Sequence, residues 1–348
     1  MIGIDLFSGA GGMSLGARLA GITPCIVAEH DRHAGETYLH NHGRPSVFFN
    51  DDIRKFEKLP ITRKSEIVLF GGPPCQGFST SNQRNRSKSN LNNWLFKEFL
   101  RIVSLYMPEW VVFENVKGFV ETEGGFFVRM IGEELTGLGY SFAQAILNAV
   151  DYGVPQNRQR FFIVASLGER AFEFPQAHRG GAVCVRDAIF DLPELNNGAS
   201  TCFLPYVAEP TTSYAYSLRG SQIGCTNHLV SRNSSQVLER YAYIPQGANW
   251  ESIPEKMMGN YKDVRRCHTG IYRRLAEDQP SVVLGNFRKN MLIHPRQNRG
   301  LSVREAARLQ SFPDWYHFKG SIGFQQQQVG NAVPPLLAKA IFDKIVSA

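Results

Sequence analysis

The chain has 348 residues, 43% hydrophobic and 20% charged, which suits one large α/β domain or two smaller ones and is too apolar for a disordered polypeptide. No apolar run approaches the roughly 18 residues of a membrane span, and the N-terminus lacks the basic and apolar regions of a signal peptide, so a soluble cytoplasmic chain without membrane contact is expected. Twelve Lys/Arg against five Asp/Glu between Glu255 and Arg308 account for the whole net charge of +7, a concentration that fits a polyanion partner and equally a solvated basic face.

In chain order, Ile2 to Leu6 reads as a strand that runs into Phe7-Ser8-Gly9-Ala10-Gly11-Gly12 and a helix opening near Met13. Such a turn lets backbone amides approach a ligand beside a helix N-terminus. Ser14 stands where the dinucleotide pattern GxGxxG needs its last glycine, so the motif is incomplete. Strands follow at Cys25 to Ala28 and Val47 to Phe49, with Glu29 and Asp52 just beyond them. Single loop acids usually cap helices or face water. These two project with the first turn from the carboxyl ends of adjacent strands into one crevice, where Glu29 suits ribose hydroxyls and Asp52 an adenine amino group. No P-loop lysine accompanies them, which argues against a nucleoside triphosphate.

The strand Ile67 to Phe70 leads into Gly71-Gly72-Pro73-Pro74-Cys75-Gln76-Gly77-Phe78-Ser79. Two prolines fix φ just before the cysteine, presenting a thiol on a rigid loop. Most cysteines are inert and buried; this position favours a nucleophile. Thr80 to Asn93, with Arg84, Arg86 and Lys88, reads as a basic lid. Asn93 to Met107 has apolar residues at helical spacing, closed by Pro108. The strand Trp110 to Phe113 then delivers Glu114, a carboxyl whose pKa would rise in an apolar cleft and so fit it to donate a proton. After a helix from Phe126 to Leu138, Arg158 and Arg160 precede the strand Phe161 to Ala165 and point the same way by alternation. They read as anchors for a polar substrate.

Beyond about residue 175 the texture turns to Pro, Gly, Ser, Thr and Asn, which indicates a second, irregular domain. Helices return at Ser302 to Gln310, where Ser302 and Glu305 have capping-box spacing, and at Pro334 to Val346. The six cysteines are irregularly spaced, as reduced thiols are. Cys225, His228, Cys267 and His268 have the wrong spacing for a compact zinc finger, and no metal is expected.

The ordered blocks Asp5 to Gly12, Gly72 to Ser79, Glu114-Asn115-Val116, Gln156 to Arg160, Arg304 to Asp314 and Gln328 to Pro335 resemble the C5-cytosine DNA methyltransferases of bacterial type. The resemblance implies a doubly wound, Rossmann-like sheet that binds S-adenosylmethionine. It implies a catalytic domain over 1–185 completed by 329–348, a target recognition domain over 186–300 and a return segment over 301–328. Carried over, Cys75 would attack C6 of cytosine, Glu114 would protonate N3, Arg160 would hold O2, and Arg158 would support the pocket. Phe7, Ser8, Gly9, Gly11, Gly12, Glu29, His30, Asp52, Ile53, Pro74, Leu95, Asn331 and Ala332 would line the cofactor site.

Chemistry at C5 requires the base to leave the stack. The implied partner is double-stranded DNA flanked by the basic segment, including Arg265, Arg266, Arg273 and Arg274. A separate cognate restriction endonuclease and a monomeric, nucleoid-associated enzyme complete the expectation. Arginines, asparagines and glutamines in Arg219 to Arg232 and Arg265 to Arg288 are candidate base readers. One alternative is a tRNA methyltransferase of the same lineage, whose Cys-Phe-Thr is broken here as Cys202-Phe203-Leu204. Another is a non-catalytic DNA-binding regulator with this fold.

Overall fold

The short apolar runs of the first half pair into one seven-stranded sheet, in a computed structural model that describes residues 1–61, 65–74, 94–178, 180–259 and 270–348. The chain divides into two units, one of Met1–Tyr152, Arg158–His178 and Val333–Ala348, the other of Gly153–Asn157 and Arg179–Ala332.

In the first unit the elements are β1 (Ile2–Leu6), α1 (Gly12–Leu19), β2 (Thr23–Ala28), α2 (Arg32–His42), β3 (Val47–Phe49), β4 (Ile67–Gly71), α3 (Leu95–Tyr106), β5 (Trp110–Val116), α4 (Gly118–Glu121), α5 (Phe126–Gly137), β6 (Tyr140–Asn148) and β7 (Gln159–Leu167). Their order across the sheet is β3-β2-β1-β4-β5-β7-β6. The first five run parallel, while β7 is antiparallel to both β5 and β6. Runs such as Val68 to Phe70 and Val111 to Phe113 are wholly buried, as strands covered on both faces must be.

Helix α3 buries Phe96, Phe99, Leu100 and Val103 in the core formed with Ile4, Leu6, Leu69 and Phe113, each large side chain contributing about 1.5–3 kcal/mol. It ends at Met107, left-handed with φ 45°, one residue before Pro108. The C-terminal helix Pro335–Val346 packs on α1 so closely that a Cβ on Gly16 would lie 2.6 Å from the Ala338 Cβ. Strand β6, absent from the sequence expectation, is an edge strand whose Ser141, Phe142, Gln144 and Ile146 are exposed. It lacks the apolar continuity that marks the central strands.

The second unit is built differently. It holds α6 (Val185–Ile189), β8 (Phe203–Pro205), α7 (Ser213–Arg219), β9 (Gly224–Thr226), α8 (Ser235–Ala242), α9 (Val303–Leu309) and α10 (Ile322–Asn331), with β8 and β9 forming a small antiparallel pair. All seven residues of α9 are buried. The Ser302–Glu305 capping box forms as expected, at 3.0 and 2.8 Å. Gln325, Gln326 and Gln328 of α10 tie down the Gly320 carbonyl, the Ser231 hydroxyl and the Lys319 carbonyl. No helix among the described residues is long and apolar enough to cross a membrane.

Candidate active site

The parallel strands β3, β2, β1, β4 and β5 end on one edge of the sheet, and the antiparallel β7 begins there, with Arg160 opposite Val116. The polar residues expected in the first unit gather on this edge, as the crevice rule for doubly wound sheets requires.

After β1 the chain turns through Phe7, Gly9 and Gly11 with φ of 59°, 56° and 87°. Glycine reaches this region freely, whereas Phe7 holds it at a cost of about 1–3 kcal/mol that surrounding contacts must offset. Two of those contacts are a Ser8 amide donating to the Ala28 carbonyl at 3.1 Å and a Gly9 amide donating to Glu29 Oε2 at 2.6 Å. Glu29 Oε1 accepts from the Asp31 amide at 2.7 Å. Burial raises the Glu29 carboxyl, and the backbone amides of Asp31, Gly9 and His30 partly oppose the rise. Three amides leave the carboxylate a lone pair for a further donor. Asp52 caps the 3-10 turn Ile53–Lys55 and is bonded by both the backbone and guanidinium of Arg54, whose hydrogen bonds hold its carboxyl well below the usual range. Ile53 is buried in the core, Leu95 is half-buried against it, and His30 and Pro74 are exposed.

The chemical end is drier. Glu114 is 8% exposed, and its Oε1 meets Arg160 Nε at 3.0 Å. Burial lifts Glu114 above the ordinary carboxylate range, and Arg160 and Arg158 only partly offset the rise. The same burial lowers both guanidinium groups, Arg158 strongly. Arg158 is fully buried, its amide held by Asn148 Oδ1 at 2.9 Å. Gly72 lies so near Glu114 that a Cβ there would stand 2.5 Å from Oε2. Asn115, turned to the other face of β5, donates to the Pro73 carbonyl at 3.2 Å. That bond anchors the approach to the cysteine loop, a positioning role that the sequence shows only as part of the Glu114-Asn115-Val116 block.

Cys75 and the basic stretch Thr80 to Asn93 lie outside the described residues, as do Arg265, Arg266, Cys267 and His268. Asn331 and Ala332 belong to the second unit, at the last residue of α10 and its C-cap.

The expected basic face needs correction, because part of its charge is internal. Arg274 is 5% exposed and donates to the carbonyls of Ile244, Tyr241, His294 and Gln297, so it cannot reach phosphate. Arg299, Arg304 and Arg308 are equally buried. Arg219 lies 3.8 Å from the Tyr206 ring centroid and donates to the Ala208 carbonyl. Arg232, Arg288 and Lys289 are exposed. His228 is tied to Ser302 and the Pro193 carbonyl, each at 2.8 Å.

A parallel-edge crevice with a desolvated acid and two buried arginines defines a class, and comparison with known proteins agrees. Residues 1–347 match the family of C-5 cytosine-specific DNA methylases, and the chain belongs to it as a DNA (cytosine-5)-methyltransferase. Among its relatives, the Type II methyltransferase M1.HphI of Haemophilus parahaemolyticus is 37% identical over 99% of this chain and 86% of that protein. The Type II methyltransferase M.DdeI of Desulfomicrobium norvegicum is 34% identical over 98% and 88%. A prophage-encoded candidate DNA modification methyltransferase from E. coli shares the fold with a TM-score of 0.81 at 25% identity, covering 100% of this chain and 99% of that one.

Proposed function

We propose that this methyltransferase uses S-adenosylmethionine to methylate C5 of a cytosine flipped out of a short, specific sequence of double-stranded DNA, through a covalent adduct on Cys75. The observation that carries this reading is the buried Glu114, raised by desolvation and 3.0 Å from Arg160, at the strand end beside the Gly72-Pro73-Pro74 approach to Cys75. Cys75 thiolate attacks C6 while the protonated Glu114 delivers its proton to N3, so negative charge does not accumulate on the ring. Arg160 holds O2 of the base and Arg158 supports the pocket. C5 thereby becomes nucleophilic. S-adenosylmethionine, when bound, would supply C5 with an electrophilic methyl group from its sulfonium, with S-adenosylhomocysteine as the by-product. Loss of the C5 proton to solvent, cleavage of the bond between sulfur and C6 and return of the N3 proton to Glu114 then release the product and restore both residues.

The residues fit that cofactor. The Phe7 to Gly12 turn presents backbone at the N-terminus of α1, and Glu29 keeps a lone pair for a ribose hydroxyl. Asp52, now bonded to Arg54, would be the acceptor for an adenine amino group. Leu95 would take the adenine face, and Asn331 and Ala332 are further candidate cofactor residues by the family resemblance. Residues 186–300 of the second unit serve as the target recognition domain, with Arg232, Arg288 and Lys289 among its exposed cations. The enzyme acts as a monomer in the bacterial cytoplasm, associated with the nucleoid through DNA, and pairs with a separate restriction endonuclease.

The test is bisulfite sequencing of a plasmid from methylation-deficient cells expressing the chain or its Cys75→Ser variant. Protected cytosines in one recurring context, absent with the variant, are expected. No protection by a protein that binds S-adenosylmethionine would overturn the duplex reading, and methyl incorporation into tRNA run alongside would support the RNA alternative.

A further inference from the structure

Beneath the glycine turn lies a buried acid that the mechanism above does not use. Asp5, the fourth residue of β1, is 1% exposed. Its Oδ2 accepts a hydrogen bond from Ser14 Oγ at 2.6 Å, and Ser14 meets the Tyr38 hydroxyl at 2.9 Å. Asp5 Oδ1 is buried and has no hydrogen-bond partner among the described residues. The chain of contacts continues on α2. Tyr38 and His42 have ring centroids 4.4 Å apart, and His42 hydrogen-bonds the backbone of Gly11.

The geometry closes a clasp around the turn. Asp5 lies on the strand that enters it and Ser14 on the helix that leaves it, so one hydrogen bond joins the two ends across Phe7 to Gly11. Tyr38 and His42 fasten that clasp to α2. Three residues of positive φ sit inside it, the strained Phe7 among them; a strained conformation persists only where its surroundings over-determine it.

Among the described residues no counter-charge acts on the Asp5 carboxyl. The titratable groups facing Asp5 and its partners are Glu29 after β2, Cys25 on β2, Arg18 on α1 and Tyr38 and His42 on α2, while β4 presents Phe70. Glu29 repels a second negative charge, and Arg18 reaches the Tyr38 end of the chain, away from the carboxyl. A carboxylate with one neutral donor and one bare oxygen is costly in such a place, and the protonated acid is the form that fits. Burial accordingly raises Asp5 well above its ordinary value and pushes His42 down to about 3.

We propose that Asp5 is a positioning residue held as an uncharged acid, whose chain through Ser14 to Tyr38 keeps the Phe7 to Gly11 turn in the shape that receives the S-adenosyl ligand. This rests on the cofactor reading above. The uncharged isostere is therefore the decisive variant.

S-adenosylhomocysteine binding is measured by calorimetry for wild type, Asp5→Asn, Asp5→Ala and Ser14→Ala at neutral and alkaline pH. Carbon-13 spectra of the ligand-free protein follow the Asp5 carboxyl, assigned by its loss in Asp5→Asn. Asp5→Asn is expected to bind within a few-fold of wild type, whereas Asp5→Ala and Ser14→Ala weaken binding by about tenfold, the usual effect of stranding a buried partner. Wild-type affinity is expected to fall in alkaline buffer as the carboxyl ionises, with Asp5→Asn insensitive, and the neutral-pH spectrum to show a protonated acid. Asn as weak as Ala, or an ionised carboxyl at neutral pH, would overturn the inference alone. Wild-type protein that binds no ligand would overturn the cofactor reading and this inference with it. If Asp5→Ala does not fold, Asp5→Asn and Ser14→Ala still decide.

Discussion

Each unit buries a cluster of arginines and carboxylates, and the two clusters are balanced in opposite ways. In the second unit Arg308 faces Asp191 and Asp314, donating to both carboxylates, with Nε to Asp314 at 2.9 Å and Nη2 to Asp191 at 3.1 Å. Burial disfavours those charges, yet the pairing wins: Asp314 is lowered and Arg308 raised. In the first unit a single acid, Glu114, faces Arg158 and Arg160, and burial wins over pairing at all three groups. A cluster in which pairing outweighs burial behaves as a fixed part of the core. One in which burial outweighs pairing holds groups shifted toward their neutral forms, and perturbed groups of that kind mark functional sites.

The sharpest way to break this contrast is Glu114→Gln. Methyl transfer is expected to fall by about 10²–10⁴-fold, the usual contribution of a positioned acid, while the denaturant midpoint holds or rises because a desolvated carboxyl is gone. Arg308→Leu should do the reverse, costing about 3–5 kcal/mol of stability by stranding two buried acids, as read by urea unfolding. Gly72→Ala drives a methyl group toward Glu114 Oε2. A displacement of the acid by about 1 Å should cost on the order of a hundredfold in rate, with cofactor binding as the control. Ser302→Ala removes a cap and about 1 kcal/mol, visible in the same unfolding experiment.

The smallest effect is the most diagnostic. Glu305 and Asp314 are lowered, because arginine pairing outweighs the burial that would raise them, so their stabilisation is complete above about pH 4 and lost as pH falls through their folded values. Glu114 is raised by burial, so its contribution is complete below about pH 4 and lost as pH rises through its folded value. Glu114→Gln should therefore gain on wild type as pH rises, and Asp314→Asn should lose its deficit as pH falls. Parallel pH-stability curves for the two variants would contradict the contrast.

The sheet was legible because its central strands are short unbroken apolar runs, and β1 and β3 match the expected spans to the residue. Strand β6 escaped because an exposed edge strand needs no such continuity. The placements of Glu29, Glu114 and Arg160 on one sheet edge followed from their positions at strand ends. The second unit resisted reading because side-chain amides and guanidinium groups hold it, and hydrogen bonding of that kind leaves no periodicity. The cluster of Arg299, Arg304 and Arg308 shows the consequence. In sequence they look like part of a DNA-facing charge run, while in the fold Arg304 spends its donors on the carbonyls of Thr226, Pro313 and Tyr316. The clasp of Asp5, Ser14 and Tyr38 was equally hidden, since it depends on α2 folding back over the turn.

The seating of the helix Pro335–Val346 on α1, with Ala338 against Gly16 and Phe342 against Phe70 at 4.9 Å between ring centroids, bears on how the polypeptide matures. The groove that receives this helix is made early by the ribosome and filled only after the whole intervening unit has been translated. Such long-range closure slows folding and leaves apolar surface bare in the meantime. That groove on α1 therefore stays bare until the helix itself has emerged from the ribosome.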